Sequence, residues 1–142
     1  MYFDESPSPQ VETPLGDFFG AGPGICPYAS VPFTIAPTGA MTCRFVMPYA
    51  KAARIEIENW SGAPLRAAGA ASFVPYAWKP GESMHFFARF RADHALYSIR
   101  HNEVVDLPFL CARGKGVYVG TASILMNPTS VPTPSGGWWG EG

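Results

Sequence analysis

The chain of 142 residues is 47% hydrophobic and 15% charged, with a formal net charge of −1, where an ordinary globular domain carries about a quarter of charged residues. That length suits one domain with a single sizeable core, and the apolar content excludes disorder. A charge near zero offers no basic field for nucleic acid or an anionic membrane, and so little charge leaves a surface inclined to self-association.

Fifteen glycines and fifteen prolines interrupt apolar runs along the whole chain, the punctuation of many short strands joined by turns. Met1-Tyr2-Phe3-Asp4-Glu5-Ser6 has neither a basic region nor an apolar stretch and does not read as a secretory signal. Residues 11–15 are the first strand candidate. The run Gly20-Ala21-Gly22-Pro23-Gly24 follows Phe18-Phe19 and opens onto Pro27 instead of a helix. It is therefore expected to be a sharp turn with positive φ, not a phosphate loop. Strand candidates continue with residues 41–48. Residues 48–53 make the best helical segment, too short to stand alone.

In Arg54-Ile55-Glu56-Ile57-Glu58-Asn59-Trp60 the isoleucines share one face and the charges the other, which predicts a half-buried strand. Residues 65–76 are a further candidate. Trp78-Lys79-Pro80-Gly81 carries the proline and glycine of a β-turn. Beyond it, Met84 to Arg91 place Phe86, Ala88 and Phe90 inward and His85, Arg89 and Arg91 outward. Segments 96–99 and 103–107 follow. Residues 115–126, apolar on both faces for much of their length, predict a central strand. No window reaches the length of a membrane span.

The expected fold is all-β: a single jelly-roll β-sandwich of about eight antiparallel strands over residues 1–126. Residues 127–142 form a Pro/Gly-rich C-terminal tail with a tryptophan pair, extended and suited to lie across a neighbouring copy.

Cys26, Cys43 and Cys111 read as buried free thiols of a reduced compartment, with one disulfide plus a spare, or a bond between subunits, as alternatives. No Cys-x-x-Cys or His–Cys cluster exists, so no zinc or other metal site is expected. His85, His94 and His101 accompany no Ser or Cys motif and read as surface or satisfied histidines. Arg89, Arg91 and Arg100 are expected to pair with Glu56 and Glu58 on an outer face.

Five ordered blocks then resemble one family. Tyr2-Phe3-Asp4-Glu5 with Val11-Glu12-Thr13-Pro14-Leu15-Gly16-Asp17-Phe18-Phe19-Gly20 resembles the opening of glycoside hydrolase family 172, enzymes related to difructose-dianhydride and arabinofuranoside hydrolases. Met47-Pro48-Tyr49-Ala50-Lys51-Ala52-Ala53-Arg54-Ile55-Glu56-Ile57-Glu58-Asn59 resembles its next block. Phe86-Phe87-Ala88-Arg89-Phe90-Arg91, Gly114-Lys115-Gly116-Val117-Tyr118-Val119-Gly120-Thr121 and Gly137-Trp138-Trp139-Gly140-Glu141-Gly142 complete the set.

The resemblance implies jelly-roll sandwiches, two per enzyme subunit, similar to some viral capsid proteins and assembling into trimers or hexamers. It also implies that Glu141 matches one of two catalytic carboxylates, with the second in a Gly-Thr-Glu-Asp-type motif beyond the last residue here. Glycosidic cleavage ordinarily needs both. Trp138 and Trp139 are expected to anchor the tail in an assembly or to stack on a sugar, and Asp17 and Asp4 to supplement Glu141.

Taken together, these features predict a self-assembling structural protein, a single jelly roll polymerising with itself into a ring, shell or tubular filament, without a complete catalytic dyad. A furanosidase-type glycoside hydrolase, truncated or completed by a partner chain, and a carbohydrate-binding module are the alternatives. No cofactor, metal, nucleic-acid partner or membrane span is expected. The location would be extracellular for a filament or shell and cytoplasmic otherwise.

Overall fold

The computed structural model describes residues 1–94 and 107–126, in which short strands and a single helical turn are joined by long irregular segments. The elements are β1 (Tyr2–Phe3), β2 (Val11–Glu12), α1 (Leu15–Phe18), β3 (Tyr28–Ala29), β4 (Phe33–Ile35), β5 (Met41–Cys43), β6 (Ala53–Arg54) and β7 (Ala88–Arg89). An all-β chain is thus what forms, as seven short strands in three small sheets among the described residues.

The three sheets differ in how their strands are joined. β3, β4 and β5 form an antiparallel meander in which Thr34 faces both Ala29 and Thr42. β1 pairs antiparallel with β6, setting Tyr2 against Arg54 and Phe3 against Ala53. β2 pairs in parallel with the distant β7, with Val11 opposite Ala88 and Glu12 opposite Arg89. The two long-range pairings make the opening dozen residues the organiser of the domain.

Phe3, Val11 and Phe18 form the buried centre, against which Met1, Phe19, Phe33, Cys43, Met47, Tyr49, Phe86 and Ala88 pack. Aromatic rings extend it as a chain. Phe18 and Phe33 meet edge-on at 5.7 Å, Phe33 and Phe45 at 5.3 Å, and Phe45 lies 5.0 Å from Phe86, the separations such rings favour. Buried Gln10 serves as a strand partner: its amide accepts from Phe3 N–H at 2.9 Å and donates to Phe3 C=O at 3.2 Å. Both backbone polar groups of buried Phe3 are satisfied by one side chain.

Several expected strands form only in part. Residues 11–15 divide into β2 and the start of α1, because Gly16-Asp17-Phe18 turns back to bury Phe18. Segment 41–48 is strand only to Cys43. The helical expectation for residues 48–53 fails: three of its peptide N–H groups bind a side chain instead of carbonyls one turn away. Around Ile55 and Ile57 the strand ends at Arg54, and the two isoleucines are 57% and 53% exposed. Neither 65–76 nor 115–126 is strand, and Phe73, Val74 and Val117 stand open to solvent. Of the next alternating segment, Phe86 and Ala88 pack on the core as expected, while Phe90 does not. The expected segment 96–99, most of 103–107 and the tail 127–142 lie outside the described residues.

Both predicted turns form. Gly20 and Gly24 adopt φ of 70° and 90°. Lys79 C=O accepts from Glu82 N–H at 3.1 Å with Pro80 and Gly81 at the centre, Gly81 at φ 80°, the pattern of a type II turn. The cysteines are unbonded, but Cys26 and Cys111 are exposed, not buried. Only Cys43 is partly covered; burial pushes its thiol up, against smaller opposing effects of the Phe45 N–H and the Arg44 charge.

Candidate functional site

The most completely built polar centre lies at the turn after β1. Phe3, Asp4, Glu5 and Ser6 close a tight turn through Ser6 N–H to Phe3 C=O at 3.2 Å. Its two central residues both have positive φ, 54° at Asp4 and 60° at Glu5. That defines the type I′ class, which admits Asp at its first central position and favours Gly at its second.

The turn aims the Asp4 carboxylate at the segment leading into β6. Its Oδ2 accepts from Ala50 N–H at 2.8 Å, and its Oδ1 from Lys51 N–H at 2.6 Å and Ala52 N–H at 3.2 Å. In return the Asp4 N–H donates to Ala52 C=O at 2.8 Å. From the far side of the chain His85 Nε2 lies 2.7 Å from Oδ2. One carboxylate therefore ties together three segments that are remote in sequence.

The His85 ring stacks on Phe3 at 5.8 Å and lies 4.7 Å from Trp78, while Phe3 also stacks with Tyr49. Burial pushes the Asp4 carboxyl up, but the bonds from Ala50, His85, Lys51 and Ala52 outweigh it and hold the group well below the usual carboxylate range. A carboxylate on one ring nitrogen fixes the orientation of an imidazole. With rings packed against the imidazole as well, the arrangement is built to hold position.

Beside this clasp runs an open groove of about 360 Å³, lined by Tyr2, Glu5, Ser6, Ala52 and Arg54. The Arg54 guanidinium lies over the Tyr2 ring, 4.1 Å from its centroid, and pairs with Glu56. The outer-face pairing expected of the arginines is therefore made by Arg54. Arg89 instead donates to Gln10 C=O at 3.0 Å and Pro9 C=O at 2.7 Å, and Arg91 pairs with Asp93. Arg100 lies outside the described residues.

Of the residues singled out from the sequence, Asp17 sits half-buried in α1, and its carboxylate makes no hydrogen bond among the described residues. Glu141, Trp138 and Trp139 lie outside the described residues, so Asp17 and Asp4 cannot be placed relative to them. His85 is a satisfied histidine, as expected, though not an outward one. The Asp4–His85 pairing is missed by a reading of local motifs, since its partners are separated by most of the domain. The signal that existed was the unusual Asp-Glu pair closing a tight turn. Among the described residues no group of three acidic, histidine or cysteine side chains could hold a metal, and no helix is long and apolar enough to cross a membrane.

Residues 1–68 match the family model described as GH172 domain-like, which is consistent with the resemblance to glycoside hydrolase family 172 over the first part of the chain. That portion contains β1 to β6, the Asp4 turn and the segment it clasps. No curated protein and no solved structure matches the chain.

Proposed function

We propose that the chain is a self-assembling subunit: a single jelly roll, derived from a glycoside hydrolase fold, whose copies pack into a ring, shell or filament. The observation that carries this reading is the apolar surface left open beyond β6. Phe73 and Val74 are each 81% exposed and Val117 is 76% exposed, with Trp60, Phe109 and Tyr118 also open. Isolated soluble domains rarely leave apolar patches beyond a few hundred Å² uncovered. Extended segments with unpaired backbone groups add a second drive, because edge pairing with another copy satisfies them. A head-to-tail contact then closes into a ring or continues as a filament according to its rotation.

Light scattering coupled to size exclusion, followed by negative-stain microscopy, tests the proposal. Discrete multimers or filaments at micromolar concentration support it, and a monodisperse monomer overturns it.

The match over residues 1–68 favours a second reading, a furanoside-cleaving glycoside hydrolase completed by a partner chain. In that reading Glu141 is one of the two carboxylates and Trp138 or Trp139 a sugar platform. Release of a chromophore from an aryl furanoside, abolished in Glu141→Gln, would establish it. Sugar binding without turnover, lost in Trp138→Ala, would instead mark a carbohydrate-binding module.

A further inference from the structure

The β1–β6 pair leaves one edge of β6 open, and the backbone shows which residues face it. Phe3 and Ala53 stand opposite each other in that pair, and the Phe3 N–H and C=O both turn away to the Gln10 amide. They are therefore a non-hydrogen-bonded pair, and residues of an antiparallel strand alternate in the edge they address. Ala52, one residue earlier, faces β1 and accepts from Asp4 N–H at 2.8 Å. Continued along the chain, the alternation turns the backbone groups of Ala53, Ile55 and Ile57 to the opposite edge. They make no hydrogen bond there among the described residues, and residues 53–57 are exposed throughout.

An open edge recruits another strand, and the side chains decide which one. Ala53-Arg54-Ile55-Glu56-Ile57 is complementary to itself when laid antiparallel about Ile55. Each Arg54 then stands opposite Glu56 of the other strand, each Ala53 opposite Ile57, and Ile55 opposite Ile55. Arg54 and Glu56 already pair within one strand, so two strands close a square of alternating charge. On the other face Ile55 and Ile57, 57% and 53% exposed in the single chain, cover their counterparts. Facing opposite charges and facing β-branched side chains are the pairs that stabilise antiparallel strands. A slip of one residue sets charge against isoleucine, and a slip of two sets Glu56 against Glu56, so the register is specified. Arg89 and Arg91 do not compete for these glutamates: Arg89 is held by the Pro9 and Gln10 carbonyls and Arg91 by Asp93. The other open segments carry no such pattern. Residues 65–76 have Arg66 as their single charge and are interrupted by Pro75, and residues 115–126 have only Lys115.

We infer that residues 53–57 pair antiparallel with the same residues of a second copy, merging two β1–β6 sheets into one across a two-fold axis at Ile55. The inference rests on the reading that copies of the chain associate, and it names one contact and its register.

Sedimentation velocity of the full chain across the micromolar range gives the test. Ile55→Pro removes an N–H donor from the open edge, beyond β6 and outside the buried centre. It should weaken association at least about tenfold. Glu56→Arg and Arg54→Glu each set like charges opposite one another across the axis, and each should weaken self-association at least about fivefold. An equimolar mixture of those two variants puts opposite charges back across the mixed pair, so association should return to within about twofold of the parent's. A purely structural role for either side chain would give no such recovery. A parent that stays monomeric overturns this inference together with the assembly reading. A parent that associates overturns the strand contact alone, and leaves assembly standing, on any of three results: Ile55→Pro associating as strongly as the parent, the charge variants doing so, or the mixture no tighter than either variant by itself.

Discussion

Asp4 concentrates more of the domain's long-range order than any other side chain described. Its carboxylate satisfies three consecutive peptide N–H groups and His85, with 16% of the side chain exposed. Asp4→Asn keeps the shape but puts an amide NH₂ against N–H donors, so a loss of about 1–3 kcal/mol in urea unfolding at neutral pH is expected. The pH dependence has a definite sign. The folded carboxyl titrates below its unfolded value of about 3.9, so on acidification the unfolded chain takes up the proton first. The Asp4 contribution is thus full above that unfolded value and shrinks as pH falls below about 4 toward the lower folded value. The gap between parent and Asp4→Asn should narrow over the same interval. A gap constant from neutral pH to pH 3 would show that the carboxylate is not what stabilises the clasp.

At the scale of elements, the turns were legible and the pairings were not. Gly20 and the Pro80-Gly81 pair announce their φ requirements in the residue type itself. At Gly20 a second constraint acts: a Cβ would sit 2.8 Å from Tyr28 Oη, which donates to Phe19 C=O. Gly20→Ala should therefore destabilise by about 1–3 kcal/mol in thermal unfolding, from the positive φ and the clash together. Tyr28→Phe in the same chain should relieve the clash and leave the φ cost, together with the roughly 0.5–1.5 kcal/mol of the lost Tyr28–Phe19 bond measured separately in Tyr28→Phe alone. If the losses in Gly20→Ala and Tyr28→Phe simply add in the double variant, the tyrosine contact is not limiting.

By contrast, nothing in Val11-Glu12 or Ala88-Arg89 says that they lie side by side in parallel. Alternation reports a two-faced strand without naming what covers each face, which is why Ile55 and Ile57 read as half-buried yet are open. The candidate site divides in the same way. Asp4 could be named from the Tyr2-Phe3-Asp4-Glu5 block, though only as a supplement to Glu141, whereas His85 acquires its partner only through tertiary contact.

The whole molecule poses a question that no single element answers. The described residues bury Phe3, Val11, Phe18, Ala21 and Ile35, while large apolar side chains from Ile55 to Met126 face solvent. Covering one valine or phenylalanine side chain is worth about 1.5–3 kcal/mol, so several such residues must share a surface to offset the roughly 4–15 kcal/mol lost on association. Phe73 and Val117 are suited to probe this, since neither contributes to the buried centre. Phe73→Asp and Val117→Asp should each raise the dissociation constant by at least about tenfold in sedimentation velocity. Near-ultraviolet circular dichroism of the Phe3–Phe18 core should be retained. Association unchanged by both substitutions would mean that these segments are not the contact, and a parent that sediments as a monomer across the micromolar range would mean that the exposed apolar segments are not covered by copies of this chain.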